Sequence, residues 1–159
     1  SANLRLDLVI NDFVSSAYTT GCIKMLSDGQ AHRPLVHCRD IAHAFVATIE
    51  GKAEDVNGLI VNVGPQDANL KVAEMANMVQ AEFENCKLEF GEGAGKDSRD
   101  YAVDFSLFSK TFPNFKFEYN LKNGIRELSR CLENINFSKS DQVDGRFKRL
   151  YLLRKVLSL

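Results

Sequence analysis

The run Leu59-Ile60-Val61-Asn62-Val63, apolar, β-branched and closed by Gly64-Pro65, is the stretch with the narrowest choice of structure. It reads as a short strand covered on both faces. Strands of that kind belong to α/β folds, in which helices pack on either side of a parallel sheet. The flanks agree. From Asp40 the residues Ile41, Ala44, Phe45, Thr48 and Ile49 fall at helical spacing, which predicts a helix with one buried face, and Gly51 stands where a left-handed cap is expected. Beyond the run, Asn69 is placed to cap a helix carrying Leu70, Ala73, Met75 or Ala76, Val79 and Phe83, and Lys87 to Phe90 alternates like a strand.

The same reading extends to both ends. Asp12 to Thr20 predicts a short helix stopped by Gly21, after which Cys22 to Leu26 runs extended into the turn Ser27-Asp28-Gly29, and Leu35-Val36-His37 is a brief strand. Asp104 is placed to cap a short helix ended by Pro113, and Asn120 to cap a longer one bearing Leu121, Ile125, Leu128 and Leu132. After a polar stretch from Asn136 to Gly145, the residues Phe147, Leu150, Leu153, Val156 and Leu157 mark a basic helix whose apolar stripe is expected to dock on the body rather than to anchor in a membrane, so no membrane partner is expected.

Composition narrows the function. Twenty basic residues against twenty-one acidic ones give a formal net charge of -1, so no broad field exists to hold a nucleic acid, and any anion must be bound locally. No apolar run approaches the roughly 20 residues needed to cross a bilayer. Cys22, Cys38, Cys86 and Cys131 form no C-x-x-C pair and have no histidine at ligand spacing, which points to free thiols, no metal site and a cytoplasmic location.

Three groups invite a chemical reading. Gly91-Glu92-Gly93-Ala94-Gly95 follows a predicted strand, but its spacing is not G-x-G-x-x-G and the next residues, Lys96 to Asp100, are polar rather than the start of an apolar-faced helix, so it is not a dinucleotide loop. His32, His37 and His43 lack H-E-x-x-H or triad spacing and read as structural or surface residues. Arg33, before Pro34-Leu35-Val36, and Arg99, before Tyr101-Ala102-Val103, are the better candidates. A guanidinium offers a planar fork of donors matched to phosphate oxygens, so two converging from separate loops would clamp a diphosphate.

The ordered set Asn11-Asp12-Phe13, Leu26-Ser27-Asp28-Gly29, Arg33-Pro34-Leu35-Val36-His37-Cys38-Arg39-Asp40-Ile41-Ala42-His43-Ala44-Phe45, Asn62-Val63-Gly64, Asp97-Ser98-Arg99-Asp100-Tyr101-Ala102-Val103-Asp104 and Gly124-Ile125-Arg126-Glu127 resembles the extended short-chain dehydrogenase/reductase family of NAD-dependent epimerases and dehydratases, roughly over residues 5–133. The resemblance implies an α/β fold of Rossmann type, with short strands and amphipathic helices. In that family an NAD-holding half with a Tyr-x-x-x-Lys pair precedes a smaller carboxy-terminal part that binds a nucleoside-diphosphate sugar, and only the latter is matched here. Tyr151 with Lys155 is the one formal Tyr-x-x-x-Lys spacing, at the wrong end of the family order, so no catalytic residue is assigned.

Carried over by position, Asn11 and Asp12 resemble the opening of the substrate loop, Lys24 and Leu26 the stretch flanking the base, Arg33 the diphosphate-binding arginine and Tyr101 the aromatic residue beside the nucleotide. The second family arginine, seven positions before Tyr101, is Ala94 here, and Arg99 or Lys96 takes its place, Arg99 having the bidentate fork. The expected organisation is a sugar-nucleotide-binding portion over residues 1–135 and a tail over 136–159. NAD would serve the intact parent and is not expected on this chain, which is expected to be inactive by itself. The alternatives are a non-catalytic nucleotide-sugar-binding or regulatory module, and a structural fragment that self-associates through faces left exposed by the missing half.

Overall fold

The computed structural model describes residues 4–143 and 147–157. Its elements in chain order are α1 (Val9–Thr20), β1 (Cys22–Ser27), β2 (His32–Pro34), α2 (Cys38–Glu50), α3 (Ala53–Val56), β3 (Asn69–Lys71), α4 (Val72–Gln80), β4 (Lys87–Gly95), α5 (Ser106–Thr111), α6 (Leu121–Asn134), α7 (Lys139–Val143) and α8 (Arg149–Leu157). The α/β expectation holds: β1 and β4 pair in parallel, Cys22 opposite Lys87 through Met25 opposite Phe90. A parallel pair needs a crossover, and the chain between the two strands supplies it with β2, α2, β3 and α4.

Helix α1 ends where Gly21 enters the left-handed region at φ 63°, its N–H closing on the Ala17 carbonyl. One face of α1, through Phe13, Val14 and Ala17, meets Ile23 and Met25 of β1, Met75, Ala76 and Val79 of α4, and Ile125 and Leu132 of α6. These buried side chains form one core, which Leu6 and Phe137 close from either end of the chain. Strand β1 alternates as a half-buried strand must, with Ile23 and Met25 inward and Lys24 and Leu26 outward. The glycine run after Phe90 belongs to β4, with a register shift against β1 between Met25 and Ser27, so it is strand and not a phosphate loop.

Several expectations are corrected. Residues 59–63 are not a strand: they make no ladder among the described residues, and Ile60 is 91% exposed. A β-branched run needs a neighbouring strand to satisfy its main chain, and none lies beside it. Helix α2 forms, but of its predicted buried face only Ala44 is covered, while Phe45 is 68% and Ile49 82% exposed. Gly51 is extended (φ -69°, ψ 158°), not left-handed, because α3 begins almost at once and the chain must turn away. The short strand is His32–Pro34 rather than 35–37, since its partner is Asn69–Lys71, with Arg33 opposite Leu70. Asn69 therefore lies in β3 and does not cap α4, where Glu74 instead accepts the Lys71 N–H at 2.7 Å. The stripe of α8 is uncovered, with Leu150, Leu153, Val156 and Leu157 all at least half exposed.

Asp104 accepts from the Ser106 N–H at 2.8 Å at the start of α5, and Asn120 caps α6 through the Asn123 N–H at 2.9 Å, as their spacing predicts. The tail is tied to α1, where Thr19 and Ser16 hydrogen-bond Gln142 at 2.6 and 2.7 Å.

Candidate functional site

Strand β2 presents Arg33 to the segment 96–105, and that segment is tied down along its length. Asp100 accepts both the His32 N–H at 2.9 Å and the His32 ring Nδ1 at 3.0 Å. Three residues on, the Asn69 side chain binds both main-chain groups of Val103. These anchors set Arg99 and Tyr101 beside Arg33, so the two arginines picked from sequence do converge.

Asp97 is the centre of the convergence. Its carboxylate takes Arg33 Nη2 at 2.6 Å and Arg99 Nε at 3.0 Å. Arg33 also donates from Nη1 to the Arg99 carbonyl and to its neighbour's carbonyl, that of His32, and its guanidinium lies 5.4 Å from the centre of the Tyr101 ring. The Arg99 bonds, then the charge of Arg33, hold the Asp97 carboxyl below the usual carboxylate range, and Asp97 in turn raises Arg99. Asp100 is lowered as well, by the backbone and side-chain bonds from His32. Two guanidinium charges against the shared Asp97 carboxylate leave this triad formally cationic, a charge that the adjoining Asp100 carboxylate offsets.

Burial divides the labour. The side chains of Arg33 and Asp97 are only 17% and 15% exposed, whereas that of Arg99 is 79% exposed. Tyr101 is half exposed. Arg99 and Tyr101 are therefore the members open to a ligand, and Arg33 is the cation behind them, already engaged by Asp97.

The other sequence candidates lie elsewhere. On α1, Asn11 donates to the Arg5 carbonyl at 2.8 Å, and Asp12 is half-buried, its carboxyl pushed up by desolvation and partly restored by Lys148. Lys24 and Leu26 point outward from β1, Leu26 being 84% exposed. No hydrogen bond or ion pair joins these four to the Arg33 cluster among the described residues. Tyr151 is 53% exposed on α8, and the Lys155 side chain lies outside what is described.

Of the histidines, His32 and His37 make structural contacts, and His43 is exposed on α2. His37 caps α2 by accepting the Arg39 N–H, stacks on Tyr119 with ring centres 4.3 Å apart, and reaches Glu127 at 3.4 Å. Sequence reading missed Asp97, Asp100, His32 and Asn69 as the framework of the cluster. The alternation Asp97-Ser98-Arg99-Asp100 was the available signal for a charge-paired loop. It also missed Asp40, which is 1% exposed and accepts the Glu118 and Tyr119 N–H groups, joining α2 to the approach of α6. No group of three or more metal-ligating side chains occurs among the described residues. Cys22, Cys38, Cys86 and Cys131 are free thiols.

Comparison with known proteins agrees with this architecture. The sequence model of the NAD dependent epimerase/dehydratase family matches residues 3–64. Among solved structures, an NAD-dependent NDP-hexosamine 5,6-dehydratase involved in tunicamycin biosynthesis superposes with a TM-score of 0.66 at 16% identity, over 81% of this chain and 40% of that one. UDP-N-acetylglucosamine 4-epimerase from Bacillus cereus gives 0.60 at 20% identity, over 82% and 45%. L-threonine dehydrogenase from Clostridium difficile gives 0.63 at 17% identity, over 78% and 40%. The chain thus spans less than half the length of each of these proteins. By sequence over residues 3–64, and by fold over most of its length, this chain is similar to the NAD-dependent epimerases and dehydratases of the extended short-chain dehydrogenase/reductase type.

Proposed function

We propose that this chain is the substrate-binding portion of an NAD-dependent nucleotide-sugar epimerase or dehydratase, and that Arg33, Arg99 and Tyr101 receive the diphosphate and base of a nucleoside-diphosphate sugar. The observation that carries this reading is the convergence of two guanidinium groups and an aromatic ring from β2 and the 96–105 segment. Paired forks suit diphosphate oxygens, and the half-exposed Tyr101 ring offers a stacking surface. In the parent, binding energy from the diphosphate and base would hold the sugar at the reacting centre, so this portion would contribute to rate without touching the reacting atoms.

Proteins of this fold are named both for nucleotide sugars and for L-threonine. A cationic pair favours the former, because an amino acid carries one carboxylate and no second anionic group for the second fork. NAD belongs to the parent's reaction and is not assigned a place on this chain, whose glycine run is strand.

Calorimetric titration with UDP-, dTDP-, CDP- and GDP-sugars, with NAD and L-threonine as controls, tests the reading. Saturable binding of one nucleotide sugar, weakened about tenfold or more by Arg33→Ala, is expected. Absence of binding to every nucleotide sugar sinks it, as does binding that is indifferent to both Arg33→Ala and Arg99→Ala. A second reading, a fragment that self-associates, is favoured by the uncovered Phe45, Val46 and Ile49 on α2. It expects oligomers that grow with concentration and no nucleotide-sugar binding.

A further inference from the structure

The positive charge of the chain is concentrated at one end. Residues 146–159 carry five basic side chains and no acidic one, so with a formal total of -1 the remainder is net acidic. Helix α8 lies within this segment. At about 100° per residue, Leu150, Leu153, Val156 and Leu157 share one arc of about 120°, which also takes in Arg149 at the amino-terminal end of the helix, with Arg154 beyond one border and Tyr151 on the opposite side. All four apolar side chains are uncovered, at 60%, 50%, 78% and 61% exposure.

The start of the helix is nonetheless held. Leu6 donates its N–H to the Phe147 carbonyl at 2.9 Å, and the Phe147 ring lies 5.5 Å from that of Phe137, itself buried in the core. A held root followed by an exposed, cationic helix with a partly apolar face suits a docking element.

Charge decides what it docks on. A second copy offering the same helix would bring its three basic residues, Arg149, Arg154 and Lys155, against those of the first, which opposes a symmetric helix pair. An anionic bilayer surface complements both features: the stripe enters the headgroup boundary while the arginine and lysine heads remain among the phosphates. No helix of the described residues is long and apolar enough to cross a membrane, so the association is interfacial. We infer that α8 is an interfacial helix that attaches this protein to anionic phospholipid surfaces. The inference is independent of the nucleotide-sugar reading, since none of its residues belongs to the Arg33 cluster.

Sedimentation of the whole chain with phosphatidylcholine vesicles, with and without phosphatidylserine, tests it. Binding about tenfold stronger to the phosphatidylserine vesicles, and largely lost at about 0.5 M salt, is expected. Leu153→Glu with Val156→Glu removes binding to both compositions. Arg149→Glu with Arg154→Glu removes the phosphatidylserine dependence. These positions lie on an exposed helix, so unchanged circular dichroism melting of the core is expected for each variant. Equal or absent sedimentation with the two vesicle types overturns the inference. So does vesicle binding that survives Leu153→Glu with Val156→Glu, and so does vesicle-independent dimerisation that the same pair abolishes, which would make a second copy the occupant.

Discussion

Asn69 holds Val103 by both main-chain groups: its Nδ2 donates to the Val103 carbonyl at 2.9 Å and its Oδ1 accepts the Val103 N–H at 2.8 Å. An asparagine side chain in β3 thereby acts as a short extra strand for the segment that carries Arg99 and Tyr101. Asn69→Ala removes both bonds, and a loss of about 1–3 kcal/mol is expected from the two unpaired backbone groups. The chemical denaturation midpoint should fall accordingly, and amide exchange should quicken from residue 97 to 104 before it does in α1. Unchanged exchange there would show that the Arg33–Asp97 and His32–Asp100 contacts suffice to hold the segment.

Asp97 competes with any anion for Arg33 and Arg99. Under the proposed function, Asp97→Asn leaves both forks without their carboxylate and raises affinity for a nucleoside diphosphate by roughly threefold to tenfold, an effect that shrinks with added salt. Calorimetry of the variant against the parent chain reads this directly. A fall in affinity, with the fold intact by circular dichroism, would mean that Asp97 positions the arginines for the ligand rather than competing with it.

The carboxyls of Asp97, Asp100 and Asp104 are all lowered, chiefly by bonds from Arg99, His32 and Ser106 respectively. A lowered folded-state value means a contribution that is complete above the ordinary value of 3.8 and is lost as pH falls below it through the folded-state value. Amide protection across 97–106 should therefore be flat from pH 7 to about pH 5 and decline only below the ordinary carboxylate range. Asp12 has the opposite sign. Its carboxyl is raised by desolvation, so Asp12→Asn should stabilise the fold at neutral pH, and the gain should vanish below 3.8, where the wild-type group is protonated in both states. Thermal melts at pH 3 and pH 7 check the pair of trends.

Gly29 has φ 73°, and a Cβ there would meet the Ala73 side chain at 2.8 Å and its backbone nitrogen at 3.1 Å. The Gly29 carbonyl also accepts the Ala73 N–H at 2.9 Å, so the turn and the first turn of α4 are joined. Gly29→Ala is expected to cost about 2–4 kcal/mol, from the left-handed backbone and the overlap together. An equilibrium unfolding curve that matches wild type would show that α4 can shift to admit a methyl group.

The elements whose information is local were legible in the sequence. Gly21 marks the end of α1, Asp104 and Asn120 mark the starts of α5 and α6, and the alternation over residues 87–90 marks β4. The candidate cluster was half legible: Arg33, Arg99 and Tyr101 stood out as a fork-and-ring set. Their carboxylate partner and the anchors His32 and Asn69 did not, because an ion pair across 64 positions and a side-chain bridge across 34 leave no periodic trace.

What the sequence determined by itself was the period and punctuation of the longer elements: that α1, α2, α4 and α6 are helices, that Gly21 and Asn120 bound two of them, and which end is basic. Tertiary structure alone decided which apolar faces are buried. The stripe of α1 finds β1, α4 and α6 and disappears into the core, whereas Phe45 and Ile49 of α2, Ile60 and the apolar residues of α8 stay exposed. Periodicity states that a face is apolar, but burial requires a second surface brought alongside it, and that surface is supplied by contacts distant in sequence.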